Sequence, residues 1–288
     1  MTSLLPSVQL ATTNHRREVA GLRYVYPVVS RRAGGVSIGI NLNPNNRCNW
    51  QCRYCQVENL QRGTGPEIDL ALLASELDTM LMEVLQGDFM QRQVPEGFRR
   101  LNDIAFSGNG EPTTSRQFAA AARLVVERLR TWQLEGRVYP VLISNGSQAH
   151  RADVSDGVRS LAAVGGRVWF KIDRGSEAAL LAVNGVRLTP EKLLTQLRRM
   201  AEACPTYIQS CFFGVAGEPP SELEVNDWLA LLARIRAEAI PLEGLLLYGV
   251  ERPPQRPEGQ MITKLSAAWL QALAERVEAL GLAVKVFA

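Results

Sequence analysis

From Val36 onward the chain alternates between short apolar runs and longer runs that carry a helical stripe. The short runs are Val36–Leu42, Leu101–Phe106, Val138–Ser144, Val168–Ile172, Tyr207–Phe213 and Leu245–Tyr248. Their length and continuity predict strands covered on both faces. Between them, Asp69 is placed to cap a helix striped by Leu70, Leu73, Leu77, Leu81 and Val84, with Gly87 ending it. Residues Ser115 to Trp132 read as a second helix and Val154–Val164 as a shorter one. Thr189-Pro190-Glu191 supplies a cap, a proline at the first helical position and an early acid. The helix it opens carries Leu193, Leu194, Leu197 and Met200. Leu223, Trp228, Leu229, Leu232 and Ile235 mark another, and Ser266 caps a last one that Gly281 stops.

Strands alternating with helices predict a parallel sheet with right-handed crossovers. The predicted class is α/β: a partial (β/α)6 barrel, two units short of the eight-fold one. The run Ala283–Phe287 follows the C-terminal helix as an edge strand. Residues 1–27 show no period, carry His15-Arg16-Arg17 and read as an N-terminal arm; residues 28–288 read as the barrel. The proline-rich stretch from Arg252 to Gly259 reads as a loop, not a linker.

Composition narrows the class without choosing a function. Among 288 residues, 46% are hydrophobic and 21% charged, as in an ordinary globular protein. No apolar run is long enough to span a bilayer, and the first twenty residues lack an apolar signal core. A cytoplasmic location with no membrane partner is therefore expected. A net charge of +3 is too small to argue for nucleic acid by itself.

The chain has 5 cysteines, and three lie together in Cys48-Asn49-Trp50-Gln51-Cys52-Arg53-Tyr54-Cys55. Clustered cysteines in odd number suit metal or redox use in a reducing compartment rather than a disulfide frame. Structural zinc takes four protein ligands. The chain has only His15 and His150, neither spaced to the triplet, although Cys204 or Cys211 could fold in. Three thiolates can instead hold three irons of a [4Fe–4S] cube and leave the fourth open.

In parallel α/β folds reactive groups gather at the carboxyl ends of strands. The cysteine loop follows the first predicted strand. Ser107-Gly108-Asn109-Gly110-Glu111-Pro112-Thr113 follows the second and Ser144-Asn145-Gly146-Ser147 the third. Lys171-Ile172-Asp173-Arg174 ends the fourth, and Gln209-Ser210-Cys211 lies on the fifth. The glycine-rich turn reads either as a tight connection or as backbone exposed to a ligand.

The triplet Cys48, Cys52 and Cys55, with Tyr54 before the third cysteine, resembles the signature of radical S-adenosylmethionine (SAM) enzymes. Gly108-Asn109-Gly110-Glu111-Pro112 resembles that superfamily's glycine-rich second-strand motif. Pro27-Val28-Val29-Ser30-Arg31-Arg32, the Ser-Asn-Gly-Ser run and Tyr248-Gly249-Val250-Glu251-Arg252-Pro253-Pro254 are similar to a branch that includes the wyosine synthases of tRNA. The resemblance implies that Cys48, Cys52 and Cys55 bind the cluster and that SAM chelates the open iron. Carbonyls around Gly108, Asn109, Gly110 and Glu111 would hold the SAM amino group, Ser144 and Asn145 the ribose, and Tyr54 the adenine. A single electron, from a flavodoxin- or ferredoxin-type donor, would yield methionine and a 5′-deoxyadenosyl radical that takes hydrogen from substrate. No cysteine precedes Cys48, so the upstream triad of the wyosine synthases is absent. That argues against the wyosine reaction itself and against an auxiliary cluster.

Lys171 and Asp173 should face the barrel interior if Phe170 and Ile172 face the helices. They read as an internal ion pair, as substrate ligands, or, for the lysine, as a Schiff-base nucleophile. Arg31 and Arg32 bind an anion or brace the cluster loop. Cys204 and Cys211 read as packing thiols. The expected activity is radical SAM chemistry on a small molecule or nucleoside. The alternatives are the same chemistry on tRNA, an activating enzyme for a glycyl-radical partner, and a non-catalytic iron–sulfur carrier.

Overall fold

The computed structural model describes residues 9–11, 20–30 and 34–288. His15-Arg16-Arg17 and the pair Arg31 and Arg32 lie outside the described residues. Eight strands form the main sheet: β1 (Val25–Ser30), β2 (Gly35–Ile40), β3 (Leu101–Phe106), β4 (Tyr139–Ser144), β5 (Arg167–Lys171), β6 (Thr206–Phe212), β7 (Gly244–Gly249) and β8 (Val284–Phe287). They lie side by side in chain order. Strands β2 to β8 are all parallel, and β1 pairs antiparallel with β2 at the edge. The helices are α1 (Leu70–Leu85), α2 (Phe89–Gln93), α3 (Phe118–Thr131), α4 (Ala152–Ala162), α5 (Glu177–Asn184), α6 (Pro190–Ala203), α7 (Glu222–Ala237) and α8 (Ala267–Glu278). The sheet curls into a partly closed barrel flanked by these helices, the predicted class.

Strand periodicity sorts the side chains. Ile38, Ile40, Ile104, Phe106, Val168, Phe170, Ile208 and Leu247 are fully buried against the helices. Each contributes about 1.5–3 kcal/mol by leaving water. The interleaved set, Ser37, Asp103, Ile143, Trp169, Lys171 and Gln209, lines cavities inside the curve. Helix starts follow the expected caps. Asp69 accepts from Leu72 N at 2.9 Å, and Ser266 accepts from Trp269 N at 3.1 Å. Thr189 accepts from Lys192 N ahead of Pro190. Ser221 and Glu224 form a capping box on α7.

Several elements differ from the sequence expectation. Strand β1 carries Pro27, which removes a backbone donor, and an edge strand tolerates that loss. The chain entering β1 is fixed by buried Glu76 of α1, whose carboxylate accepts from the N–H groups of Arg23, Tyr24 and Val25 at 2.8, 2.7 and 3.2 Å. Helix α3 begins at Phe118 rather than Ser115, because Pro112–Thr114 form a separate 3-10 turn. Helix α5, short and weakly striped, is new; Gly185 ends it in the left-handed region at φ 63°.

Candidate functional site

The cysteine loop leaves the carboxyl end of β2 and is fastened first to the glycine-rich turn after β3. Asn41 Oδ1 accepts from Asn43 N at 3.0 Å and from Asn109 N at 3.1 Å. Asn43 Nδ2 donates to Arg47 O at 3.0 Å. Glycine is required where the two loops meet. A Cβ on Gly110 would stand 2.1 Å from Arg47 O, and Gly108 has φ +140° with Asn41 Oδ1 2.5 Å from its absent Cβ.

Helix α5 fastens the loop from the other side. Gln51 N donates to Asn184 O and Arg53 N to Val183 O, both at 2.8 Å. Loop amides thus satisfy carbonyls that the helix end leaves open. Asn184 Nδ2 donates to Cys52 Sγ at 3.3 Å. Arg62 bridges Asn49 O and Gly185 O at 3.1 and 2.9 Å. In the proline-rich segment after β7, Gln255 N donates to Cys55 O at 2.9 Å, and Glu258 O accepts from Arg53 Nε at 3.0 Å.

The three thiols are free, half-buried, and on the wall of one cavity of about 280 Å³. Tyr54, Gly108, Asn109, Gly110, Glu111, Asn145 and Lys171 line the same cavity. Burial pushes the Cys48 thiol up to about 12 and the Cys52 thiol up to about 11, so both are protonated at neutral pH without a cation. Among the described residues no group of three or more His, Cys, Asp or Glu side chains is arranged to hold a metal ion. A cubane binds one thiolate at each of separate irons, so it asks for sulfurs spread around a cavity rather than converging on a point. Three free thiols on one cavity wall match in number the open cluster that the sequence reading expects.

The glycine-rich turn divides its polar atoms between scaffold and cavity. The buried Glu111 carboxylate accepts from Ser144 Oγ at 2.8 Å, Asn145 N at 2.7 Å and Thr113 N at 3.1 Å. It welds the end of β3 to the end of β4. Burial raises its pKa against these lowering hydrogen bonds. Ser144 is buried behind this contact and is absent from the cavity wall, where the resemblance put it beside a ribose. Asn145 does reach the wall, and its Nδ2 donates to Asn49 Oδ1 at 3.0 Å. Asn109 Oδ1 is buried on the same wall and has no hydrogen-bond partner. An acceptor left open there suits an ammonium donor.

Tyr54, Lys171 and Asp173 form one interior group. The Tyr54 hydroxyl donates to Asp173 Oδ2 at 2.5 Å and accepts from Lys171 Nζ. Lys171 Nζ lies 3.5 Å from Asp173 Oδ2 and 4.8 Å from the Tyr54 ring centre. Asp173 also accepts from Asn184 Nδ2 at 2.6 Å and from Cys211 N at 2.9 Å. It is fully buried behind the cavity wall, whereas Lys171 is on it. Burial alone would lower the Lys171 pKa, but the Asp173 carboxylate and neighbouring acidic groups push it well above the usual range. Held this way, Lys171 Nζ can donate hydrogen bonds into the cavity. Cys204 is buried 2% exposed under α6, and Cys211 is fully buried beside Lys171.

Asn41, Asn49 and Asn184 escaped the sequence reading. Asn49 lies inside the cysteine triplet, and Asn184 closes an Ala/Leu-rich run before Gly185; those positions were the only signals.

No family model matches the chain, and no curated protein sequence matches it. Solved structures do. A radical SAM methyltransferase from Sphaerobacter thermophilus is 12% identical with a TM-score of 0.56, over 91% of this chain and 68% of that one. A spore photoproduct lyase mutant is 11% identical with a TM-score of 0.54, over 83% of this chain and 73% of that one. Such identities speak to fold and not to activity. The chain shares the partial-barrel fold of these two structures.

Proposed function

We propose that this chain is a radical SAM enzyme acting on a small molecule or nucleoside. The observation that carries the reading is one cavity walled both by the three free thiols and by the glycine-rich turn with its open Asn109 acceptor. Cys48, Cys52 and Cys55 would hold a [4Fe–4S] cluster, and Asn109 with the Gly108–Glu111 backbone would hold the SAM amino group. When bound, these groups supply one-electron cleavage of a sulfur–carbon bond to a 5′-deoxyadenosyl radical that takes hydrogen from substrate.

The chain's own residues position and shield. Asn184 donates to a cluster thiolate, which stabilises added negative charge there. Asn41 keeps the turn and the cysteine loop at fixed separation, and Glu111 ties the turn to the end of β4. Tyr54, pinned by Lys171 and Asp173, gives the cavity a fixed aromatic wall beside Cys52 and Cys55. A carrier of electrons needs a cluster near the surface and no cavity beside it; the space here favours a substrate. An external electron donor of flavodoxin or ferredoxin type completes the reading.

Incubating the anaerobically reconstituted protein with SAM and dithionite tests it. Formation of 5′-deoxyadenosine is expected; its absence would leave an iron–sulfur carrier as the better reading.

A further inference from the structure

Lys171 on β5 and Gln209 on β6 are Cα partners in the parallel register. Both side chains line a second cavity of about 280 Å³ inside the curve, which shares Tyr54, Cys55, Gly108 and Lys171 with the cysteine-side cavity. Gln209 is 1% exposed, and its Nε2 makes no hydrogen bond. Its neighbours are engaged: Lys171 with Tyr54 and Asp173, Ser210 Oγ with Ile172 O at 2.6 Å, and the Cys211 thiol with Tyr248.

Buried amide donors are nearly always paired, because an unpaired one forfeits its hydration. An unpaired donor on the register partner of Lys171, both residues lining one cavity, is a half-made site for an oxygen. A carbonyl-type oxygen has two lone pairs and can accept from both. Ile143, Tyr248 and Phe287 add apolar surface to the same cavity.

We propose that Gln209 Nε2 and Lys171 Nζ together bind a carbonyl-type oxygen of the substrate. The oxygen belongs either to a carboxylate or to the ring carbonyl of a nucleobase. Resting on the reading of the cysteine-side cavity as the SAM site, this places the substrate on the β5–β6 side, facing Cys55 across the shared space. Gln209 is then a specificity-determining residue.

The test replaces the amide with apolar side chains, Gln209→Met and Gln209→Leu, in the full chain prepared anaerobically. Melting is followed without ligand, and then with acetate or uracil as probes. Both variants are expected to melt higher than the parent without ligand, because they remove an unsatisfied donor. One probe should stabilise the parent, and its apparent affinity should fall about tenfold in the variants, one hydrogen bond's worth. Acetate as the active probe identifies a carboxylate, uracil a ring carbonyl. Lower melting in both variants would make the amide a structural prop and overturn the proposal. So would equal stabilisation of parent and variants, or no stabilisation of the parent by either probe. The melting readout needs no SAM, so 5′-deoxyadenosine formation on the same preparation judges the cofactor reading separately.

Discussion

Asn184 Nδ2 lies 3.3 Å from Cys52 Sγ and 2.6 Å from Asp173 Oδ2, so one amide joins the cysteine loop to the interior charge group. Hydrogen bonds to cluster sulfurs raise a cluster's reduction potential, because they stabilise the more negative state. Replacing Asn184 by Ala should therefore make the reconstituted cluster harder to reduce. Redox titration followed by EPR measures this. A potential equal to or above that of the parent would show that this amide does not face a ligating sulfur.

Lys171→Ala leaves the Asp173 carboxylate buried without its cation. Removing one partner of a buried pair costs about 3–5 kcal/mol. The hydrogen bonds from Tyr54, Asn184 and Cys211 keep the expected loss near the lower figure. Urea denaturation gives the stability change. The cluster spectrum should persist while turnover is lost, and a fully active variant would remove Lys171 from the site.

Gly110→Ala drives a methyl group into Arg47 O, 2.1 Å from the ideal Cβ position. Overpacking of this kind costs about 1–3 kcal/mol, and here it displaces the residue next to Cys48. Iron content per chain should fall. Gly97→Ala, whose Cβ meets nothing within 4 Å, is the control and should load normally. Equal iron content in both variants would contradict the fit between turn and cysteine loop.

The Cys204 thiol is pushed from 9.0 up to about 12 by burial. A thiol harder to ionise when folded keeps its full contribution below pH 9 and loses it as pH rises toward 12. Each pH unit in that window removes about 1.4 kcal/mol from such a group. The stability difference between parent and Cys204→Ala should hence be constant below pH 8 and shift in the variant's favour by about 1 kcal/mol between pH 9 and 10, the unfolded thiol being half ionised at pH 9. A pH-independent difference would mean that Cys204 ionises as readily in the fold as outside it.

Much of the barrel could be read from the chain because parallel strands are continuous apolar runs and the helices carry marked caps, as at Asp69, Thr189 and Ser266. Strand β1 could not, since Pro27 interrupts its pattern and its anchor is Glu76, fifty residues away. At the site, the cysteines and the glycine-rich turn were visible as spacing. The partners that hold them were not, because Asn41, Asn49 and Asn184 act through tertiary hydrogen bonds that no local pattern encodes. Ser144, which the resemblance placed beside a ribose, donates its hydroxyl to Glu111, a tertiary contact that the local sequence does not display.

The most direct test of the account is low-temperature EPR of the reduced, anaerobically reconstituted protein, recorded with and without SAM. The account predicts a [4Fe–4S] signal that SAM changes and that vanishes when Cys48, Cys52 and Cys55 are all replaced by alanine. A signal indifferent to SAM, or one that survives the triple replacement, would contradict it.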